Sequence, residues 1–256
     1  MKLAAIQYCP PKGRPARARR ELVRLATAAV DAGAELIVMP ELATTGYVWP
    51  SAAAIAPFCE AADGPTFAAL APVAARGATI ICGFAERAPD GRLYNSALFI
   101  DDQGRLAGCY RKILLFPLDA TWAGAGTRRM VLQTTLGQVA PAICMDINDP
   151  RLATWLTMIQ PRILAFCTNW VEEGEDAHAW WRERLRGWRG WMVAGNRWGS
   201  DEDVLFSGRS AILSPAGEVL AQAGPEEDGV VLVDTLAWES LHPPDIITQA
   251  DEDRWR

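Results

Sequence analysis

Along this chain, short runs that are apolar at nearly every position alternate with segments whose apolar residues recur at helical spacing, a pattern that predicts an α/β domain. The clearest helix opens near Pro15, sets Leu22, Leu25, Ala26, Ala29 and Val30 on one face, and stops at Gly33. It delivers the chain into Leu36-Ile37-Val38-Met39, where no polar residue intervenes. Such a run predicts a strand buried on both faces, and Pro40 ends it. Glu41 follows at once. A charged residue just past the carboxyl end of a central strand stands where open α/β sheets place ligand chemistry.

The arrangement recurs. Ala78 to Phe84 predicts a strand, and Tyr94 to Ile100 with Leu106 to Lys112 predicts a hairpin turning at Asp101-Asp102-Gln103-Gly104, with Lys112 at its end. Gln138 to Cys144 is mostly apolar, is interrupted by Pro141, and runs out at Cys144-Met145-Asp146. A helix follows near Pro150 to Ile159, then a strand from Ile163 to Cys167, a Trp-rich helix from about Asp176 to Arg189, and a strand from Trp191 to Asn196. Three β-leaning segments, 208–213, 218–222 and 229–235, close the pattern. No repeat, low-complexity segment or compositional break divides it, so residues 1–256 are expected to form one domain with a loosely held tail over 240–256.

Composition narrows the function. The chain has 256 residues, half of them hydrophobic, and a net charge of -6, with dispersed arginines offset by 31 carboxylates. That balance argues against a nucleic-acid footprint. The arginine clusters at 14–24 and 182–189 fall on helical patterns and read as solvated faces. No apolar run approaches about 18 residues, so no membrane span is expected, and the first residues read as a strand instead of a targeting segment. The six cysteines are scattered, without a C-x-x-C pair or a His-rich partner segment. A reducing, cytoplasmic setting is therefore expected, with neither a disulfide framework nor a metal site. Cys9, Cys82, Cys109 and Cys167 lie in or beside strand runs and read as small core hydrophobes.

Lys112 stands out against this background. It is one of three lysines beside twenty-two arginines, and it ends an apolar strand. Lysine is a compact point charge that arginine's planar fork does not replace, which suits a polarising role. Glu41, Lys112 and Cys144 are thus three reactive side chains, each at a strand terminus. A cysteine nucleophile needs a base. Neither histidine, His178 nor His242, is at a strand end, which leaves a carboxylate base with the lysine beside it as the alternative to a Cys-His pair.

Pro40-Glu41-Leu42-Ala43-Thr44-Thr45-Gly46-Tyr47, Tyr94-Asn95-Ser96-Ala97 leading to Gly108-Cys109-Tyr110-Arg111-Lys112, and Ile143-Cys144-Met145-Asp146 resemble the nitrilase superfamily of carbon-nitrogen hydrolases. So do Asn196-Arg197-Trp198-Gly199 and Phe206-Ser207-Gly208-Arg209-Ser210-Ala211-Ile212, so that the matches span nearly the whole chain in the family's order. The resemblance implies a four-layer αββα sandwich, a Glu41-Lys112-Cys144 triad and no cofactor. It implies an oxyanion held by Lys112 and the backbone N–H of Met145, a small-molecule substrate, and a homodimer or higher homo-oligomer. The implied reaction is hydrolysis of a primary amide to acid and ammonia through a thioester. Nitrile or N-carbamoyl hydrolysis and acyl transfer use the same triad, and a noncatalytic binding protein on this scaffold is the alternative from another class.

The chain also departs from the family pattern. Leu114 stands where many members have histidine, and Asp119 where they have a second glutamate, making Asp119 a possible fourth catalytic residue. Asn148 replaces the arginine of branches that bind carboxylate-bearing substrates, and the run from Cys144 to Pro150 looks more like aliphatic and protein N-terminal amidases. Asn169 and Trp170, with Tyr47 and Trp122, are the implied substrate contacts. The other tryptophans, Trp180, Trp181, Trp188, Trp191 and Trp198, read as core or subunit interface.

Overall fold

The computed structural model describes residues 1–242, so the tail expected over 240–256 lies outside the described residues from 243 onward. The first half runs β1 (Lys2–Gln7), α1 (Pro15–Asp31), β2 (Leu36–Val38), α2 (Ala52–Ile55), α3 (Pro65–Ala74), β3 (Thr79–Arg87), β4 (Leu93–Ile100) and β5 (Leu106–Arg111). The second runs β6 (Leu132–Thr134), β7 (Gly137–Ile143), α4 (Pro150–Ile159), β8 (Ile163–Thr168), α5 (Ala177–Arg184) and β9 (Trp191–Asn196). It closes with β10 (Trp198–Asp201), β11 (Val204–Ser207), β12 (Ala211–Leu213), β13 (Val219–Gln222), β14 (Gly229–Asp234) and α6 (Thr235–Leu241).

Two six-stranded sheets form, in the orders β14-β1-β2-β3-β4-β5 and β13-β12-β9-β8-β7-β6. Alternation along each strand sets the layers. On β1, Leu3 and Ala5 point between the sheets, while Ala4 and Ile6 meet Leu22, Leu25, Ala26 and Ala29 of α1 and Leu70 of α3. On β8, Ile163, Ala165 and Cys167 point between the sheets, while Leu164 and Phe166 meet Leu152 and Leu156 of α4 and Trp181 of α5. Both faces of each sheet are thereby covered, which is why the central runs carry no polar residue. The result is the expected αββα sandwich. No helix among the described residues is long and apolar enough to cross a membrane.

Several boundaries depart from the pattern. The Trp-rich helix stops at Arg184 instead of Arg189, because Gly187 takes a φ of +96° and Trp188 turns back to bond Pro161 O at 3.0 Å. Val30 sits at the edge of the α1 face and is only half buried. Pro141 is tolerated inside β7 because pairing with β6 ends at Val139, and Pro141 is opposed only by Ala165 of β8. α3 and the β10–β11 hairpin had no clear periodic signal.

The sheets come into close contact where β9 faces the end of β2. A Cβ added to Gly195 would lie 2.5 Å from Val38 O and 2.7 Å from the Met39 carbonyl carbon, so glycine is required there. Gly195→Ala forces the sheets apart and is expected to cost about 1–3 kcal/mol, as for other overpacked cores. Urea denaturation checks this, and an unchanged midpoint would show that the backbones are free to part.

Candidate active site

β1, β2 and β3 are mutually parallel, as are β7, β8 and β9, and β5 runs in the direction of β3 because two antiparallel pairings separate them. The carboxyl ends of β2, β5, β7 and β8 therefore meet at one edge, and they deliver Glu41, Lys112, Cys144 and Asn169 there. Glu41 N reaches Thr168 O at 3.4 Å, joining the two sheets at that edge. Its turn lies against β3, where a Cβ on Gly83 would come within 2.5 Å of Glu41 Cα.

Lys112 is fully buried, and its ammonium donates to Glu41 Oε1 at 2.7 Å and to Asp119 Oδ2 at 2.5 Å. Asn95 Nδ2 bridges the two carboxylates, at 2.6 Å from Glu41 Oε1 and 3.1 Å from Asp119 Oδ1. Glu41 Oε2 accepts the Asn169 N–H at 3.0 Å, and Phe116 N donates to Asp119 Oδ2 at 3.0 Å. Burial works to lower the lysine pKa, but Asp119 and Glu41 outweigh it and hold the ammonium well above its ordinary value. Burial pushes the Glu41 pKa up; Lys112 pulls against that and Asp119 adds to it, leaving the carboxylate a better proton acceptor than an exposed glutamate. Two of the three ammonium donors are engaged, and Nζ lies 6.0 Å from the Tyr47 ring centroid.

Cys144 opens a 3-10 turn, Cys144–Asn148, with φ at +42°, a left-handed conformation that a non-glycine residue holds only when its surroundings enforce it. Asp146 supplies the enforcement. Its Oδ1 accepts Ile113 N at 3.0 Å and Leu114 N at 2.8 Å, and its Oδ2 accepts Ile143 N at 3.0 Å and the Tyr110 hydroxyl at 2.8 Å. One side chain thus ties the turn of Cys144 to the segment leaving Lys112. Sγ lies 3.9 Å from Asn169 O. Burial, then the charge of Glu41, pushes the thiol up to about 12 against the pull of Lys112. At neutral pH it is a thiol that needs a base. Met145, second in the turn, has no acceptor within it for its backbone N–H.

These groups open onto a cavity of about 240 Å³ walled by Tyr47, Phe116, Cys144, Met145, Asn148, Asn169, Trp170 and Trp180. Asp201 fixes one wall by accepting Tyr47 N at 2.8 Å and pairing with Arg197 at 3.1 Å. Asn196 fixes the other by accepting Trp170 N at 3.0 Å. The structure therefore brings together Glu41, Lys112, Asp119, Cys144, Met145, Tyr47, Asn169 and Trp170. Trp122 lies apart from them, buried with Leu42, Trp49 and Leu93 in the cluster that also holds Tyr47, and is not among the residues that line the cavity. Trp180, expected in core or interface, is on the cavity wall, where Nε1 donates to Asn148 Oδ1 at 2.8 Å. Asp146, which the sequence marked only as a neighbour of the cysteine, is the residue that holds the site together. The histidines lie elsewhere, His178 bonded to Arg209 O at 2.9 Å and His242 stacked on Trp238, so no Cys-His pair forms. Among the described residues, no group of three or more His, Cys, Asp or Glu side chains is placed to hold a metal ion.

The sequence pattern of the carbon-nitrogen hydrolase family matches residues 2–237. The chain belongs to that family. A probable nitrilase of Schizosaccharomyces pombe is 32% identical over 207 residues, covering 77% of this chain and 73% of its own. An (R)-stereoselective amidase of a Pseudomonas species is 29% identical over 231 residues, covering 89% and 82%. The amidase of Nesterenkonia sp. AN1, of the nitrilase superfamily, superposes over all of both chains with a TM-score of 0.82 at 22% identity, which shows a shared fold. That amidase has been solved with acrylamide added to its active-site cysteine and in complex with butyramide.

In this carbon-nitrogen hydrolase, three of the four partners of Asp146 are backbone N–H groups and the fourth is a hydroxyl, so an amide in its place must turn its NH₂ group toward at least one N–H. Asp146→Asn loses at least one bond to a charged acceptor and is expected to destabilise the fold by about 1.5–3 kcal/mol. Urea denaturation of the purified variant reads the loss, and wild-type stability would show that the four bonds are not formed together.

Proposed function

We propose that this hydrolase cleaves a primary amide to a carboxylic acid and ammonia through a thioester on Cys144. The observation that carries the reading is the position of the Cys144 thiol at the cavity wall, beside a buried carboxylate whose proton affinity is raised and an ammonium with one donor uncommitted. Glu41 takes the thiol proton and the thiolate adds to the amide carbon. The resulting oxyanion sits between the Lys112 ammonium and the Met145 N–H, donors that burial makes stronger than they would be in water. Ammonia leaves with the proton held by Glu41. Water then adds to the thioester, giving its proton to Glu41, and the acid departs as the thiol re-forms. Asp119 keeps the lysine charged and aimed, since it shares the ammonium with Glu41. The amide ligands of the Nesterenkonia protein are consistent with this substrate class in a related fold.

Ammonia release measured over amides, nitriles and N-carbamoyl compounds tests the assignment. Cys144→Ala is expected to abolish release while keeping the thermal unfolding midpoint, and turnover by that variant would sink the proposal. Lys112→Arg preserves the charge yet is expected to lower kcat by about 100- to 1000-fold, the usual cost of a lost oxyanion donor, because the planar fork does not fit a point-charge site.

The pH profile follows from Glu41. Its accepting form is lost as pH falls through its folded pKa, which lies above the ordinary glutamate value of about 4.3. The acid limb of kcat/KM is therefore expected above that value. No second inflection is expected through the neutral range, because the Cys144 thiol is at about 12 and Lys112 is raised. A second inflection near neutrality, in addition to the acid limb, would contradict Glu41 as the group that sets the profile.

A further inference from the structure

The amidase reading leaves the acyl group of the substrate open, and the wall of the cavity addresses it. We infer, resting on that reading, that the cavity selects amides whose acyl chain ends in a protonated amine. Among the described residues no arginine or lysine lines it, and Asn148, which closes the cysteine turn, is tied to Trp180. The buried cation at the reacting end, Lys112, is already shared between two carboxylates. An anionic tail therefore meets no basic side chain on the cavity wall itself.

The mouth carries the opposite charge. Glu173 and Glu175 line it and are exposed, and neither pairs with a cation among the described residues, whereas the adjacent Glu172 is tied to Arg209 at 2.9 Å. Between mouth and thiol stand the rings of Tyr47, Phe116, Trp170 and Trp180, which accept an alkyl chain and attract cations through their quadrupoles, although one face of Trp180 already carries the Arg184 guanidinium 4.4 Å from its centroid. At the reacting end, Asn169 is 1% exposed, and its Oδ1 and Nδ2 both lack a hydrogen-bond partner. A buried carboxamide with donor and acceptor both unmet is complementary to a polar group of the substrate beside the reacting carbon. The volume of 240 Å³, about eight water molecules' worth, suits a short chain.

The test compares δ-aminovaleramide, hexanamide and glutaramic acid, which share chain length and differ in terminal charge. The wild-type enzyme is expected to show the highest kcat/KM on δ-aminovaleramide and the lowest on glutaramic acid. Exposed charge pairs are individually weak, so the Glu173→Gln/Glu175→Gln double variant is expected to lower kcat/KM on δ-aminovaleramide about 3- to 10-fold more than on hexanamide. Added salt is expected to erode the same preference. Equal rates across the three amides, a preference for the neutral or anionic one, or a cationic preference that survives the double variant would each overturn the inference. If the wild type turns over none of the three, the amidase reading fails in this series. Binding of δ-aminovaleramide against hexanamide to the Cys144→Ala variant, read from tryptophan fluorescence, then decides charge selection: tighter binding of the cation supports it, and equal or weaker binding refutes it.

Discussion

The buried contact among Lys112, Glu41 and Asp119 is the constraint on which the rest depends. An ammonium and two carboxylates, all within 1% of full burial, are held away from water, and the desolvation each suffers is recovered only if geometry and hydrogen bonding are nearly complete. Asn95 bridges the carboxylates, the Asn169 N–H caps the other Glu41 oxygen, and the Phe116 N–H adds a second donor to the Asp119 oxygen that takes Lys112. Such a cluster is weak evidence for stability. Its consequence is chemical, because the same burial that penalises charge raises the proton affinity of Glu41 and of the Cys144 thiol together. A base and an acid whose affinities both rise are suited to exchanging one proton.

The sandwich exists around that cluster in a specific sense. Glu41 and Lys112 come from one sheet, and Cys144 and Asn169 from the other, so the site forms only when the sheets close face to face. Gly195 lets β9 lie against β2, Gly83 lets the Glu41 turn lie against β3, and Asp146 of the second sheet gathers N–H groups from the segment that leaves Lys112 on the first. Packing between the sheets, mostly of Val, Ile, Leu and Ala, thus sets the distances of a polar site at their edge.

How far the chain could be read before folding differs from residue to residue. Glu41, Lys112 and Cys144 were legible because each interrupts or ends an apolar run, and a charge or thiol at a strand end is visible without knowing the tertiary structure. Asp119 was legible only through the resemblance, which implies a second acidic residue shortly after the lysine, and its contact with Nζ required the fold. Trp122 and Trp180 show the limit. Both lie in segments where spacing does not say which way a ring points, and the fold turned Trp122 into the packing behind Tyr47 while leaving Trp180 on the cavity wall. Asp146 carried no sequence signal beyond its neighbours, since its four donors come from segments more than thirty residues apart as well as from its own turn. The αββα layering was legible through resemblance, and the doubly apolar runs agree with it. The end of α5 was set by Gly187, a breaker that the tryptophan pattern obscured.

The cavity adds chemical direction to this frame. On the proposed reading, the unmet Asn169 carboxamide stands at the reacting end, the aromatic rings beyond it, and mouth carboxylates unpaired among the described residues last, so the proposed oxyanion end at Lys112 and Met145 opposes a proposed cation-favouring end at Glu173 and Glu175. The claim on which all of this turns is that Cys144 carries the acyl group. Rapid-quench mass spectrometry of the enzyme mixed with an amide it turns over tests that directly. The account predicts a transient acyl adduct on the peptide containing Cys144 that forms and decays in step with ammonia release. Ammonia release with no adduct, or with the adduct on another cysteine, would contradict it.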